Sequence, residues 1–400
     1  MKKKYISLFK KNFSKYKIDG YIIPKNDKYF SEYDSNERLH KISDFSGSAG
    51  LAIITNNKNY LFVDGRYILQ AKIECGNNFK IIDITKNLPK NIFKNITLGV
   101  DPKIITSNNI RKLFSNKILI KEINHNLIDT IVPKKKIKIK QFFKLDDKVV
   151  GEKKSIKLKK IKRYLKKTKS DYLLVTAPEN VAWTLNIRGK DNPNSPIPNC
   201  NLLIDKNKKF FLITDKSKAK KIINEKIINK SQLINFNQIQ DFFKILKSGK
   251  IIIDFKTCSL FLEKVIRKNF KILKYTDPIY EFKSIKNQTE IHHMLKAHHE
   301  DGLALTRFIY WIKHNKKKVN EVEVQNKLEK FRKINKNYLF PSFSTIAGSG
   351  PNGAIVHYRA NKKKCRVINK KDIFLFDSGG QYKYGTTDVT TTICFQKPKK

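Results

Sequence analysis

Cysteine is sparse in this sequence. Cys75, Cys200, Cys258, Cys365 and Cys394 are far apart, odd in number and contain no C-x-x-C pair. That excludes a disulfide scaffold and fits an intracellular chain with reduced thiols. Glycine (16) and proline (12) are too few for a low-complexity or collagen-like chain. No apolar run reaches the roughly 18 residues of a membrane span. The N-terminus, MKKKYISLFKKNFSKYK, begins like a signal peptide, but Lys10 and Lys11 interrupt its apolar stretch at 5–9. A cytoplasmic protein is expected.

Acidic residues are also in short supply: 35 Asp and Glu face 84 Lys and Arg, a formal charge of +49. Such a balance invites a nucleic-acid reading. The excess, however, is almost all lysine, spreads along the whole chain and rises together with Ile and Asn, as codon bias alone produces. Phosphate-tracking surfaces cluster their charge and favour arginine. No specific nucleic-acid partner and no membrane partner are expected, only salt-sensitive adhesion to anions.

What is present is ample apolar material, 40% of 400 residues, enough for a core in each of two or three domains. The first segment, 1–148, reads as α/β. Short apolar strands are predicted at 19–24, 51–55 and 60–63, with a hairpin turn at Asn56-Asn57-Lys58, a helix at 67–74, and strands at 80–84 and 97–100. Residues 132–154 are Lys-rich and lose apolar periodicity, a candidate linker. The second segment, 149–280, opens with a basic helix at 152–167. Strands at 172–176, 202–204, 210–214 and 251–254 and a helix at 261–268 repeat the first rhythm, suggesting an internal duplication. In the third segment, 281–400, Asn287-Gln-Thr-Glu290 caps a helix carrying Ile291, Leu295, Leu305, Ile309 and Ile312. Asn320-Glu-Val-Glu323 caps a second helix with Val324, Leu328 and Phe331 on one face. Strands are expected at 342–346, 354–357, 373–378 and 387–395.

The chemistry concentrates in Phe374-Leu-Phe-Asp-Ser-Gly-Gly-Gln-Tyr-Lys-Tyr-Gly-Thr-Thr-Asp-Val-Thr-Thr-Thr-Ile393. A hairpin centred between Tyr382 and Lys383 sets Asp377 directly across from Asp388. Facing carboxylates repel at cross-strand distances of about 4.5–5.5 Å unless a cation or a shared proton lies between them. Carboxylate oxygens suit Mn²⁺, and Zn²⁺ accepts them too. A carboxylate-bridged metal pair activates water in hydrolases. An ordinary hairpin with solvent-facing aspartates satisfies the same spacing. Upstream, the Gly-rich segment Ala347-Gly-Ser-Gly-Pro-Asn-Gly-Ala-Ile-Val-His-Tyr358 is expected to deliver His357 at a strand end. There it either relays a proton or stabilises charge, or serves structure alone.

Taken together these stretches resemble aminopeptidase P (Xaa-Pro aminopeptidase), in its long three-domain form within the creatinase/methionine-aminopeptidase superfamily. The matching stretches run in order from end to end. They are Gly20-Tyr-Ile-Ile-Pro24, Ser31-Glu-Tyr33, Phe45-Ser-Gly-Ser-Ala-Gly50, Asp64-Gly-Arg-Tyr67, Val175-Thr-Ala177 with Ala182-Trp183, and Asn186-Ile-Arg-Gly189. In the third segment they are Gly350-Pro-Asn-Gly-Ala-Ile-Val-His-Tyr358, Asp377-Ser-Gly-Gly-Gln-Tyr382 and Gly385-Thr-Thr-Asp-Val-Thr390.

The resemblance implies two creatinase-like α/β domains at 1–148 and 149–280. A pita-bread metallopeptidase domain from 281 to 400, incomplete at its C-terminal side, follows. It implies two divalent ions, usually manganese, with Asp377 and Asp388 as ligands, His357 as catalytic and substrate-side histidine, and Arg66 as substrate-binding. The expected reaction releases an N-terminal residue from peptides with proline in second position, using a metal-activated water. Proline-containing peptides and, in the full-length form, a second copy of the chain are the expected partners.

Two departures stand out. The family completes its metal site with a histidine and two glutamates well downstream of the second aspartate, beyond Lys400, so the 400 residues alone are expected to be inactive. His292, His293, His298 and His299 precede the hairpin on a helix and read as a polar face, the Glu290-x-x-His293 pair lacking a partner helix. The family also often has arginine where Thr391 stands. An alternative is a truncated, non-catalytic homologue that binds peptides or proteins. A dipeptidase or creatine amidinohydrolase is a further rival, disfavoured by the long N-terminal extension. An apolar edge is expected to be exposed beside the hairpin.

Overall fold

A computed structural model describes residues 2–32, 36–132, 138–363 and 365–397, the side chains of 2–4 excepted. Tyr33 of the Ser31-Glu-Tyr33 stretch, and 133–137 of the expected linker, lie outside the described residues. The chain divides into two compact units. One comprises Met1–Lys144, Lys154–Asp191 and Ile197–Ser284; the other comprises Leu145–Lys153, Asn192–Pro196 and Ile285–Lys400.

In the first unit the short apolar runs become strands buried on both faces. β1 (Gly20–Pro24), β2 (Leu51–Thr55), β3 (Asn59–Val63), β4 (Lys80–Asp83), β5 (Ile96–Val100) and β6 (Ile118–Glu122) form one sheet, ordered β4-β3-β2-β1-β5-β6. The predicted hairpin at Asn56-Asn57-Lys58 joins β2 and β3 antiparallel. β7 (Phe143–Lys144) pairs with β9 (Ile187–Arg188). β8 (Tyr172–Val175), β10 (Asn201–Asp205), β11 (Phe210–Ile213), β12 (Leu233–Ile234), β13 (Gly249–Ile253) and β14 (Phe270–Lys274) form a second sheet, ordered β12-β11-β10-β8-β13-β14.

The two sheets share one topology. In each, the outer pair on one side is parallel, the next two pairs are antiparallel, and the last two are parallel. The repeated rhythm of the sequence therefore corresponds to a fold used twice. Successive residues of a strand enter opposite cores: Ile22 and Ile53 pack on one side of the first sheet, Tyr21, Ile23 and Ile54 on the other. Leu202 and Leu203 do the same in the second sheet. Continuous apolar runs, rather than alternating ones, are what two-sided burial requires.

The linker expectation needs correction. Phe142 is fully buried in the core of the second sheet, and Asp147–Val150 is a short helix. Lysine-rich composition conceals these anchors, because a few apolar residues suffice to pin a segment.

The second unit is built around two helices, Gln288–His314 and Glu321–Lys333, each begun by the capping box anticipated at Asn287/Glu290 and Asn320/Glu323. The buried stripe of the long helix is Ala297, Asp301, Ala304, Leu305, Phe308 and Ile312. Ile291 and Leu295, expected on it, are exposed. Beside the helices, β15 (Tyr338–Pro341) pairs with β18 (Gly380–Tyr382), and β16 (Ile346–Ser349), β17 (Ile373–Ser378) and β19 (Val389–Cys394) form a three-stranded sheet. Of the strand expected at 342–346 only Ile346 belongs to one, 342–345 being the gap between β15 and β16, and 354–357 is no strand at all. Among the described residues β19 is an edge strand of this sheet, and the side chains it exposes are Thr390, Thr392 and Cys394.

Candidate functional site

Strand β17 alternates strictly. Phe374, Phe376 and Ser378 are fully buried, whereas Leu375 and Asp377 face the less covered side and Ile373 is exposed. Asp377 pairs with Ile346 of β16 and with Thr390 of β19. It does not lie directly across from Asp388. The turn is centred between Lys383 and Tyr384, closed by the Tyr382 N–H donating to the Gly385 carbonyl at 2.8 Å and by the Gln381/Thr386 bridge. The whole ladder is therefore two residue numbers away from the register read from the sequence, and Asp388 falls diagonally from Asp377, at an exposed position just before β19.

The physical reason lies at Gly379, Gly380 and Thr387. The Thr387 N–H donates to the Gly380 carbonyl, while the Gly380 N–H donates to the Thr387 hydroxyl, each at 2.9 Å. The Thr387 carbonyl accepts instead from the Ser342 hydroxyl. A Cβ on Gly379 would lie 2.0 Å from that carbonyl and 2.2 Å from Ser342 Oγ, so glycine is required.

Electrostatically the site is coherent. Burial raises the Asp377 carboxyl above its ordinary value; the negative Asp388 adds to this, while the Thr390 hydroxyl, His357 and the Ser378 backbone oppose it. Asp388 and His357 are therefore both close enough to be felt at Asp377. Asp377 Oδ1 is buried without a hydrogen-bond partner, an unmet acceptor that suits a cation.

His357 follows the 3₁₀ turn Gly350–Ala354 rather than ending a strand. The turn needs Gly350, whose φ is +57° and whose added Cβ would lie 2.8 Å from Asp372 Oδ2. Its organiser is Glu321, fully buried at the start of its helix. Glu321 accepts from the Ser349 and Arg366 N–H groups at 2.8 and 2.9 Å, the Asn352 amide at 3.1 Å and the Tyr358 hydroxyl at 2.8 Å. Sequence reasoning treated Glu321 only as part of a cap.

The other named residues fall elsewhere. Arg66 belongs to the first unit, where Nε and Nη2 grip Asp64 at 2.9 and 2.8 Å and the guanidinium stacks on Tyr67. Glu290 is consumed by its capping box, His293 Nδ1 lies 3.1 Å from the Val149 carbonyl, and His298 Nδ1 lies 2.9 Å from the Met294 carbonyl. The polar-face reading of that helix fits these contacts. Among the described residues no group of three or more His, Cys, Asp or Glu side chains is placed to hold a metal. The residues present thus fit a metal as a partial donor set: two carboxylates, one with an unmet oxygen, and a neighbouring imidazole.

Comparison with known families follows the same division. The creatinase/prolidase N-terminal domain matches residues 6–122 and again 132–290, and metallopeptidase family M24 matches 292–400. A crystal structure of X-prolyl aminopeptidase from Caenorhabditis elegans, described as a cytosolic enzyme with a di-nuclear active site, shares the fold. Its TM-score is 0.89 at 24% identity, covering 100% of this chain and 71% of that one. These features define a creatinase-type chain with an M24 metallopeptidase region.

More narrowly, it belongs to the Xaa-Pro aminopeptidase P family. It is 32% identical to a probable Xaa-Pro aminopeptidase P of Paracoccidioides brasiliensis (strain Pb03), over 95% of this chain and 67% of that protein. It is 34% identical to Xaa-Pro aminopeptidase 1 of Dictyostelium discoideum, over 95% and 65% respectively. The chain spans about two thirds of the length of the relatives it matches.

Proposed function

We propose that this chain carries the N-terminal domains and part of the metal centre of a Xaa-Pro aminopeptidase, which releases the first residue from peptides with proline in second position. The observation that carries the reading is Asp377: a carboxylate in an apolar strand, with one buried oxygen unpaired, whose hold on its proton burial and Asp388 strengthen and His357 weakens. Asp377 and Asp388 are the residues that would hold divalent ions, Mn²⁺ by preference for hard oxygen donors. When bound, such ions supply Lewis acidity and an activated water. His357 stabilises charge on the reacting amide or passes it a proton, and Arg66 contacts the peptide. A cytoplasmic setting and a homodimer belong to the same reading.

The test is a calorimetric Mn²⁺ titration of the 400-residue chain, Asp377→Asn and Asp388→Asn, alongside amino-acid release from a Xaa-Pro-Xaa peptide. Binding is expected to be weak in the parent, since the described residues group no third ligand, and lost in both variants. Turnover by these 400 residues alone is expected to be negligible, and robust metal-dependent cleavage would overturn that. Mn²⁺ binding unchanged by both substitutions would remove the metal reading.

A further inference from the structure

Behind the hairpin lies a buried ion pair that the chemistry above does not use. Asp301, on helix Gln288–His314, and Arg332, on helix Glu321–Lys333, are each only 1% exposed. Arg332 grips the carboxylate bidentately, Nε to Oδ1 at 2.7 Å and Nη2 to Oδ2 at 3.1 Å. The same Nη2 donates to the Ser378 hydroxyl at 3.0 Å. Asp301 in turn accepts from the Tyr382 hydroxyl at 2.8 Å and the Thr387 hydroxyl at 2.9 Å. Its two oxygens thus take four donors, the full capacity of a carboxylate.

The residues gripped are informative. Ser378 directly follows Asp377, Thr387 directly precedes Asp388, and Tyr382 borders the turn. The pair therefore holds both arms of the hairpin and its tip at once. Thr387 is fixed twice, because its hydroxyl also receives the Gly380 N–H. We infer that the Asp301–Arg332 pair is a positioning device that sets the register of this hairpin and with it the spacing of Asp377 and Asp388.

Two arguments favour positioning over simple stabilisation. A buried ion pair offers little net stability over a packed apolar replacement, and fixing one arrangement among alternatives is its best-attested use. A slip of one residue in an antiparallel pairing would also send Asp388 to the opposite face. Turn chemistry alone does not prevent that slip in a segment with three glycines and five threonines. Arginine is needed rather than lysine, since only its planar fork reaches Asp301 and Ser378 together.

The inference rests on the reading of Asp377 and Asp388 as metal ligands, so the experiment separates the two. Thr387→Val, Thr387→Ser, Ser378→Ala and Asp301→Asn are compared with the parent chain by Mn²⁺ titration, amide hydrogen exchange and thermal melting. Thr387→Val is expected to weaken Mn²⁺ binding by about tenfold or more, as loss of outer-shell support does. Exchange should accelerate within residues 378–389 while the first unit keeps its protection. Thr387→Ser, which retains the hydroxyl, should restore both readouts, and Ser378→Ala should give a smaller shift of the same kind. Should Asp301→Asn fail to fold, Thr387→Val and Ser378→Ala still decide.

Unchanged local exchange and Mn²⁺ affinity in Thr387→Val and Ser378→Ala would overturn the inference. So would changes matched by an equal loss of protection throughout the second unit. If Asp377→Asn leaves Mn²⁺ binding unaltered, the metal reading fails instead, and local exchange alone judges the hairpin's register.

Discussion

The six-stranded sheets of the first unit and the three-stranded sheet of the second obey one rule with opposite outcomes. In the former, both faces are cored, so neighbours such as Leu202 and Leu203 enter different apolar clusters and both vanish from solvent. In the latter, one face is cored by Phe374, Phe376 and Ile393 against the two helices, while the other presents Leu375, Asp377, Thr390 and Thr392. On the doubly covered sheets carboxylates such as Asp83, Glu122 and Asp205 occupy only the last position of a strand, whereas Asp377 lies inside β17, on its less covered face. Burying charge on a doubly covered strand costs too much, so candidate chemistry collects where coverage is one-sided.

The largest test of this contrast is alanine replacement of adjacent residues. Leu202→Ala and Leu203→Ala are each expected to cost about 2–5 kcal/mol, because each removes a fully buried side chain. In β17, Phe376→Ala should cost about 3–5 kcal/mol but Leu375→Ala less than about 1.5 kcal/mol. Urea unfolding of the four variants would measure this, and equal costs for Leu375 and Phe376 would break the comparison.

A second test uses a carboxylate of the doubly covered unit. Asp277 is buried, accepts hydrogen bonds from Asn180 at 2.8 Å and the Ile279 N–H at 2.9 Å, and is pushed up to about 6, chiefly by burial. Its folded value exceeds its unfolded one. The folded state therefore holds the proton more tightly, and stability falls as pH rises from about 4 through about 6. The expected loss is about 2–3 kcal/mol. Denaturant melts across that window should show the decline, and Asp277→Asn should flatten it. A profile unchanged in the variant would assign the slope to other groups.

The smallest effect belongs to the helix caps of the second unit. Asn320 accepts from the Glu323 N–H at 3.0 Å, and Asn320→Ala is expected to cost about 1 kcal/mol. Its particular interest is Glu321, the next residue. If the cap also steadies the carboxylate that organises the His357 turn, exchange should quicken at residues 349–358; if it does not, only the helix start frays.

Much of the strand and helix inventory was legible from local pattern. Apolar runs bounded by turn residues gave β1, β2, β8 and β17, and both long helices of the second unit begin at their predicted capping boxes. Clues to the ion pair were present too: Asp301 lies on the stripe of Ala297, Ala304 and Phe308, and Arg332 continues the spacing of Val324 and Leu328. A charge on a core stripe signals a buried partner but cannot name it.

The sequence by itself determined where most of the longer apolar strands and the two capped helices begin, that Asp377 sits in an apolar strand, and which family these motifs compose. Those properties depend on side-chain period and local turn chemistry. Only the tertiary structure decided that Asp377 faces Thr390, that Asp388 stands diagonally, that Glu321 ties together the turn before His357 and its neighbour Tyr358, and that Asp301 and Arg332 hold the hairpin. Register and partnership are set by contacts between residues far apart in the chain, where several pairings satisfy the local pattern and packing selects one.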